Sequence, residues 1–161
     1  MSKFKYSVGM WNASGIAIDS PKERLRELRE IGFDGVEIPG VPEKMTDTKE
    51  LRDALHSIDM EPVLVNGITG KFGVLLGTYP TKDITGSNPE SRKAAVEYIE
   101  KCVDLAVDFD APYVLVAQGP MEDIDPSETG VMKARNRFIE VAKKTLNYAK
   151  DRGIILGYEP Q

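Results

Sequence analysis

Residues 83–116, DITGSNPESRKAAVEYIEKCVDLAVDFDAPYVLV, decide how the chain is to be read. Asn88-Pro89-Glu90 gives a helix start: a capping side chain, then proline where its missing N–H costs nothing. Ala95, Ile99, Cys102, Val103 and Ala106 follow at i, i+4, i+7, i+8 and i+11, the apolar stripe of an amphipathic helix. A short turn containing Pro112 leads into Tyr113-Val114-Leu115-Val116-Ala117. That run is β-branched and almost continuously apolar, as a strand buried on both faces must be. A long helix feeding such a strand is one step of a parallel α/β fold.

The same alternation extends in both directions. Strands are expected at about 4–11, 35–39, 62–66, 113–118 and 154–159. The first helix is marked by Ser20 as N-cap, Pro21, and Glu23 three residues after the cap, with Leu25, Leu28 and Ile31 on one face and Gly32 at its end. A second is expected from about Asp47 to Ile58, with Leu51, Leu55 and Ile58 spaced for burial. The fourth runs from around Ser127 to Arg152, with Gly153 beyond it. The order is therefore β-α-β-α-β-loop-α-β-α-β, which implies parallel strands joined by helical crossovers. Two architectures satisfy it. With 161 residues, a five-stranded doubly wound sheet fits the length, whereas a complete (β/α)8 barrel takes about 250. Either way, residues 1–161 read as a single domain.

Composition narrows the functions. The net charge is −5, from 21 basic and 26 acidic side chains, which argues against a nucleic-acid partner, since that needs a basic surface to displace counterions. Cys102 is the only cysteine, so no intrachain disulfide or cysteine metal cluster can form. No run approaches membrane-spanning length and the N-terminus lacks the apolar core of a signal peptide, so the expected setting is cytoplasmic, with no membrane partner. There is no G-x-G-x-x-G, G-x-x-x-x-G-K-[ST] or G-x-S-x-G, which removes the common phosphate-binding and nucleophile readings of a doubly wound domain.

In parallel α/β folds ligands bind beyond the carboxyl ends of the strands. The candidate site residues are therefore Trp11 and Asn12 after the first strand, Glu37 in the second, Asn66 after the third, Gln118 after the fourth and Glu159 after the fifth. A carboxylate at a buried strand tip is costly to desolvate unless it is paired or bound to metal. Trp11, Phe72 and the long segment 67–87 are placed to cover a substrate. His56 reads as a partly exposed helix residue and Cys102 as core.

The stretches IGFDGVEIPG (31–40), residues 83–116 and RGIILGYEP (152–160) resemble the sugar isomerase/epimerase branch of the xylose isomerase-like TIM-barrel superfamily. The resemblance covers essentially the whole chain, which corresponds to about the first four and a half β/α units of the barrel. It implies a divalent metal (manganese, magnesium, cobalt or zinc) held by Glu, Asp, His and Glu at the ends of later strands. The first of these matches Glu159 in Gly157-Tyr158-Glu159-Pro160, and in the epimerases that glutamate is both metal ligand and acid/base. Trp11, Glu37, Asn66 and Gln118 would then contact a sugar or polyol substrate. The resemblance further implies proton transfer beside a ketose carbonyl. The other three ligands fall on strands this sequence lacks, so metal binding by this chain alone is expected to be weak or absent. The site would be completed by a C-terminal half-barrel or by a second copy in a homo-oligomer. The same scaffold also carries inosose-type dehydratases, and a non-catalytic half-barrel module is a further alternative. An endonuclease of the abasic-site type fits poorly, because its histidine ligands on strands two and three have no counterpart here.

Overall fold

The computed structural model describes residues 5–9, 21–44, 47–69, 82–118 and 125–159. Its longest middle unit follows the sequence closely. Helix α3 spans Pro89–Phe109, with the Asn88 side chain accepting from Glu90 N at 3.0 Å. Asp110 ends it in the left-handed region (φ 57), and Ala111 N returns to Ala106 O at 2.9 Å. The predicted stripe is buried, and Tyr98, Leu105 and Phe109 are buried with it. The chain then enters a strand at Tyr113–Gln118, here β4.

The remaining elements are β1 (Ser7–Gly9), α1 (Pro21–Ile31), β2 (Gly35–Pro39), α2 (Thr48–Ser57), β3 (Glu61–Thr69), α4 (Glu128–Asp151) and β5 (Ile155–Glu159). A 3-10 turn at Pro42–Lys44, unmarked in the sequence reading, follows β2. Asp47 and Ser127, where the second and fourth helices were expected to start, are the N-caps of α2 and α4, accepting from Glu50 N and Gly130 N. Gly153 takes φ +72 after α4, a conformation that disfavours any side chain. Ser20 lies outside the described residues. The larger differences from expectation fall in two strands. The described part of β1 is shorter than 4–11, and β3 runs on to Thr69 rather than stopping at Asn66, so the following loop starts later than residue 67.

All four strand pairings are parallel and the order is β1-β2-β3-β4-β5. This order decides between the two architectures. A doubly wound sheet reverses direction at a switch point and carries helices on both faces, whereas neighbours in sequence order with right-handed crossovers place every helix on one face. The helices indeed pack in a row, α1 on α2, α2 on α3 and α3 on α4. The sheet is the first four and a half β/α units of a barrel wall, and the doubly wound alternative is excluded.

Core and open face alternate along each strand. Val36 and Ile38 of β2, Val65 of β3, Val114 and Val116 of β4 and Leu156 of β5 are buried under the helices with Leu25, Leu55, Ile99, Val103 and Phe109. Burying each such side chain contributes about 1.5–3 kcal/mol. Cys102 is a free, buried thiol in this layer, and burial pushes its pKa up to about 12. Among the described residues no helix is long and apolar enough to cross a membrane.

Candidate functional site

The pairing register sorts the open face into rows. Gly9, Glu37, Leu64, Tyr113 and Ile155 share the first; Pro39, Asn66, Leu115 and Gly157 the second; Ile68, Ala117 and Glu159 the third. The first row is mostly apolar, and in it Tyr113 and Ile155 are 44% and 59% exposed. Polar chemistry collects towards the carboxyl ends, in the second and third rows.

Asn66 is the sharpest feature there. It is only 9% exposed, yet its Oδ1 is a fully enclosed oxygen with no hydrogen-bond partner among the described residues. A buried polar atom left unpaired costs about 1–3 kcal/mol, so such an oxygen in a strand tip invites a donor from a ligand. Two strands across, and one row nearer the carboxyl end, Glu159 closes β5 with an exposed side chain. Strand spacing puts β3 and β5 about 10 Å apart, a gap suited to a small polar molecule.

The β5 tip is anchored from behind. Tyr158 faces the helices, meeting Phe138 edge-on at 5.0 Å between ring centres. Its hydroxyl lies 2.6 Å from Thr145 Oγ1, and Thr145, buried in α4, in turn reaches Val141 O at 3.0 Å. The Tyr158 phenol is pushed up by burial, opposed by the Thr145 hydrogen bond. With Tyr158 fixed on the helix side, the alternation of the strand turns Glu159 to the open face.

The other predicted residues are less closely grouped. Glu37 is half-buried within β2, two residues short of its end and one row further from Glu159 than Asn66 is. Gln118 ends β4 with its backbone paired to Thr69. Trp11, Asn12 and Phe72 lie outside the described residues, as does the 70–81 part of the expected covering loop. His56 is exposed on α2. The sequence reading missed Tyr98 and Thr145 as partners of the strand tips. Both stand on buried helix faces, where a tyrosine or threonine reads simply as packing.

Among the described residues no group of three or more His, Cys, Asp or Glu side chains could hold a metal ion. Glu159 is one carboxylate donor and Asn66 one amide, which together fall short of a divalent-ion site.

A sheet of sequential parallel strands, helices on one side and polar residues at the carboxyl ends, is the wall of a (β/α)8 barrel. More narrowly, the chain belongs to the xylose isomerase-like TIM-barrel family, whose model matches residues 25–161. A comparison with curated proteins found no significant sequence match. Similar solved structures include 3-keto-D-glucoside 4-epimerase YcjR from E. coli, 16% identical, with a TM-score of 0.75 over 98% of this chain and 56% of that one. D-psicose 3-epimerase in the presence of D-fructose is 15% identical, TM-score 0.72, over 95% and 51%. D-allulose 3-epimerase from Methylomonas sp. in complex with D-allulose is 16% identical, TM-score 0.69, over 98% and 51%. The chain thus spans about half the length of the solved structures it matches.

Proposed function

We propose that the chain is the N-terminal part of a sugar isomerase/epimerase that moves a proton beside a ketose carbonyl. The observation that carries this is the placement of an enclosed Asn66 Oδ1, without a hydrogen-bond partner among the described residues, and the exposed Glu159 carboxylate at the carboxyl end of one open sheet face. Once its amide turns out of the enclosed position, Asn66 Oδ1 accepts from a sugar hydroxyl and fixes the ring's orientation. Glu159 then takes the proton from the carbon next to the carbonyl and returns it, the role a positioned carboxylate can fill if it reaches the C–H. Glu37 and Gln118 would contact the substrate further along the same face, and Trp11 would cover it.

The fold and the ketose epimerases it resembles support this reading over a plain binding module. A divalent ion, if used, would bind Glu159 and draw its remaining donors from outside the described residues; it would polarise the carbonyl and acidify the neighbouring C–H. The unpaired edges of β1 and β5, among the described strands, are where a C-terminal half-barrel or a second copy would close the site.

Deuterium incorporation into D-fructose in heavy water, with manganese supplied and followed by proton NMR, tests the reading. A chain extended through the later strands of the barrel should label the carbon beside the carbonyl, and Glu159→Gln in it should lose about 10²–10⁴ of the rate. Undiminished labelling by Glu159→Gln removes Glu159 from its role, and no labelling by the extended wild type overturns the assignment.

A further inference from the structure

The carboxyl ends of β2 and β3 are joined by a lock that neither strand makes alone. β2 stops at Pro39, paired with Asn66, while β3 continues to Thr69. Beyond that point a helix side chain joins the strand ends. Tyr98 of α3, buried beneath the sheet, donates its hydroxyl to Gly40 O at 2.7 Å and accepts from Ile68 N at 3.0 Å. Gly40 N in turn donates to Asn66 O at 2.8 Å. The ring of Tyr98 is itself held, with Lys82 Nζ 4.9 Å from its centre. Gly40 has no room for a side chain: a Cβ there would lie 2.6 Å from Asn66 O and 3.0 Å from the Tyr98 hydroxyl. One phenol therefore fixes the backbone on both sides of Asn66, at Gly40 and at Ile68.

We infer that Tyr98 is a positioning residue, whose hydroxyl sets where the β3 tip presents the Asn66 amide to a hydroxyl-bearing ligand. This rests on the sugar-site reading above for the nature of the ligand, and on the lock alone for the placement of Asn66. The phenol touches no substrate. Burial pushes its pKa far up, so it stays a neutral donor and acceptor over the whole working range of pH. Without the hydroxyl, Gly40 O and Ile68 N each lose a partner, and the segment from Asn66 through Gly67 to Ile68 is held on the β2 side less firmly than before. A sub-ångström shift in a binding amide suffices to spoil a sugar hydrogen bond, whose strength falls steeply with distance and angle.

The test is heteronuclear NMR on the full chain as wild type, Tyr98→Phe, Gly40→Ala and Ile99→Val, with D-fructose as the probe. Phenylalanine keeps the ring and removes only the hydroxyl. Tyr98→Phe should displace the Asn66 side-chain amide signals and speed exchange of the Ile68 amide about tenfold. D-fructose binding read at the Asn66 signals should weaken about tenfold as well. Gly40→Ala attacks the lock from the loop side and should give the same signature, so the outcome does not hang on one variant folding. Ile99→Val trims a buried neighbour on the same helix and should lower the melting temperature while leaving the Asn66 signals in place. Unmoved Asn66 signals in both lock variants, or equal movement in Ile99→Val, overturn the positioning role. If the wild-type Asn66 signals ignore D-fructose while Tyr98→Phe still displaces them, the sugar-site reading fails and the lock stands.

Discussion

The two faces of this sheet are built from the same strands by different rules. On the helix side, Ile38, Val65, Val114 and Leu156 form one continuous row, each 9% exposed or less. On the open side, the neighbouring row runs Pro39, Asn66, Leu115, Gly157, and the row before it leaves Tyr113 and Ile155 largely exposed. Stability resides on the first face, where this row is apolar and enclosed. The unresolved polar demand resides on the second, at Asn66. The difference teaches that the fold stands on half of each strand and leaves the other half for chemistry.

The comparison is most directly broken by two substitutions at adjacent residues. Val114→Asp forces a carboxylate into the helix-side core and should cost about 3 kcal/mol or more, enough to abolish cooperative folding. Tyr113→Asp, one residue earlier and facing the other way, should change stability by less than about 1 kcal/mol. Urea denaturation of the pair measures this, and equal losses would dissolve the distinction between faces. Phe109→Ala, at the foot of α3, should cost about 3–5 kcal/mol by the same measurement, because the cavity lies wholly within the core. A loss under about 1 kcal/mol would mean that the helix layer repacks freely. Tyr158→Phe removes the hydroxyl that reaches Thr145 and should cost about 1 kcal/mol; a larger drop in ketose labelling than in stability would tie that anchor to Glu159. The smallest effect lies off both faces. Tyr6 N–H, then Arg29, hold the Asp34 carboxyl below its ordinary pKa. A depressed carboxylate stabilises the fold above its unfolded value and loses that contribution as pH falls through the folded one. The stability of the wild type should therefore decline below about pH 4, and Asp34→Asn should flatten that limb in acid titrations of the melting temperature.

Much of the helix face was legible in the sequence, because burial on one side leaves a periodic trace. The stripe from Ala95 to Ala106, the Asn88 cap, and the bounds of β2 and β4 all follow from it. The tip of β3 was not legible. Asn66-Gly67 reads as a turn by composition, and only β4 alongside and the Tyr98 hydroxyl beneath keep it extended to Thr69. Strand order was equally silent, since alternation fixes parallel pairing but not which strands become neighbours. Length pointed to a doubly wound sheet, and the barrel was implied only by the family-like segments. Of the candidate site, Asn66 and Glu159 were found by asking what stands at strand ends. The partners that hold them, Tyr98 and Thr145, lie on helices distant in sequence and look like core.

Cys102 gives the molecule a built-in clock. Its thiol is the chain's only one, is fully enclosed beneath β3, and is held in the unreactive protonated form. A thiol reagent can therefore modify the folded protein only during excursions that lift α3 from the sheet. The rate of modification at low denaturant would count those excursions directly, and so time the parting of the layer that holds Tyr98 from the strands it locks.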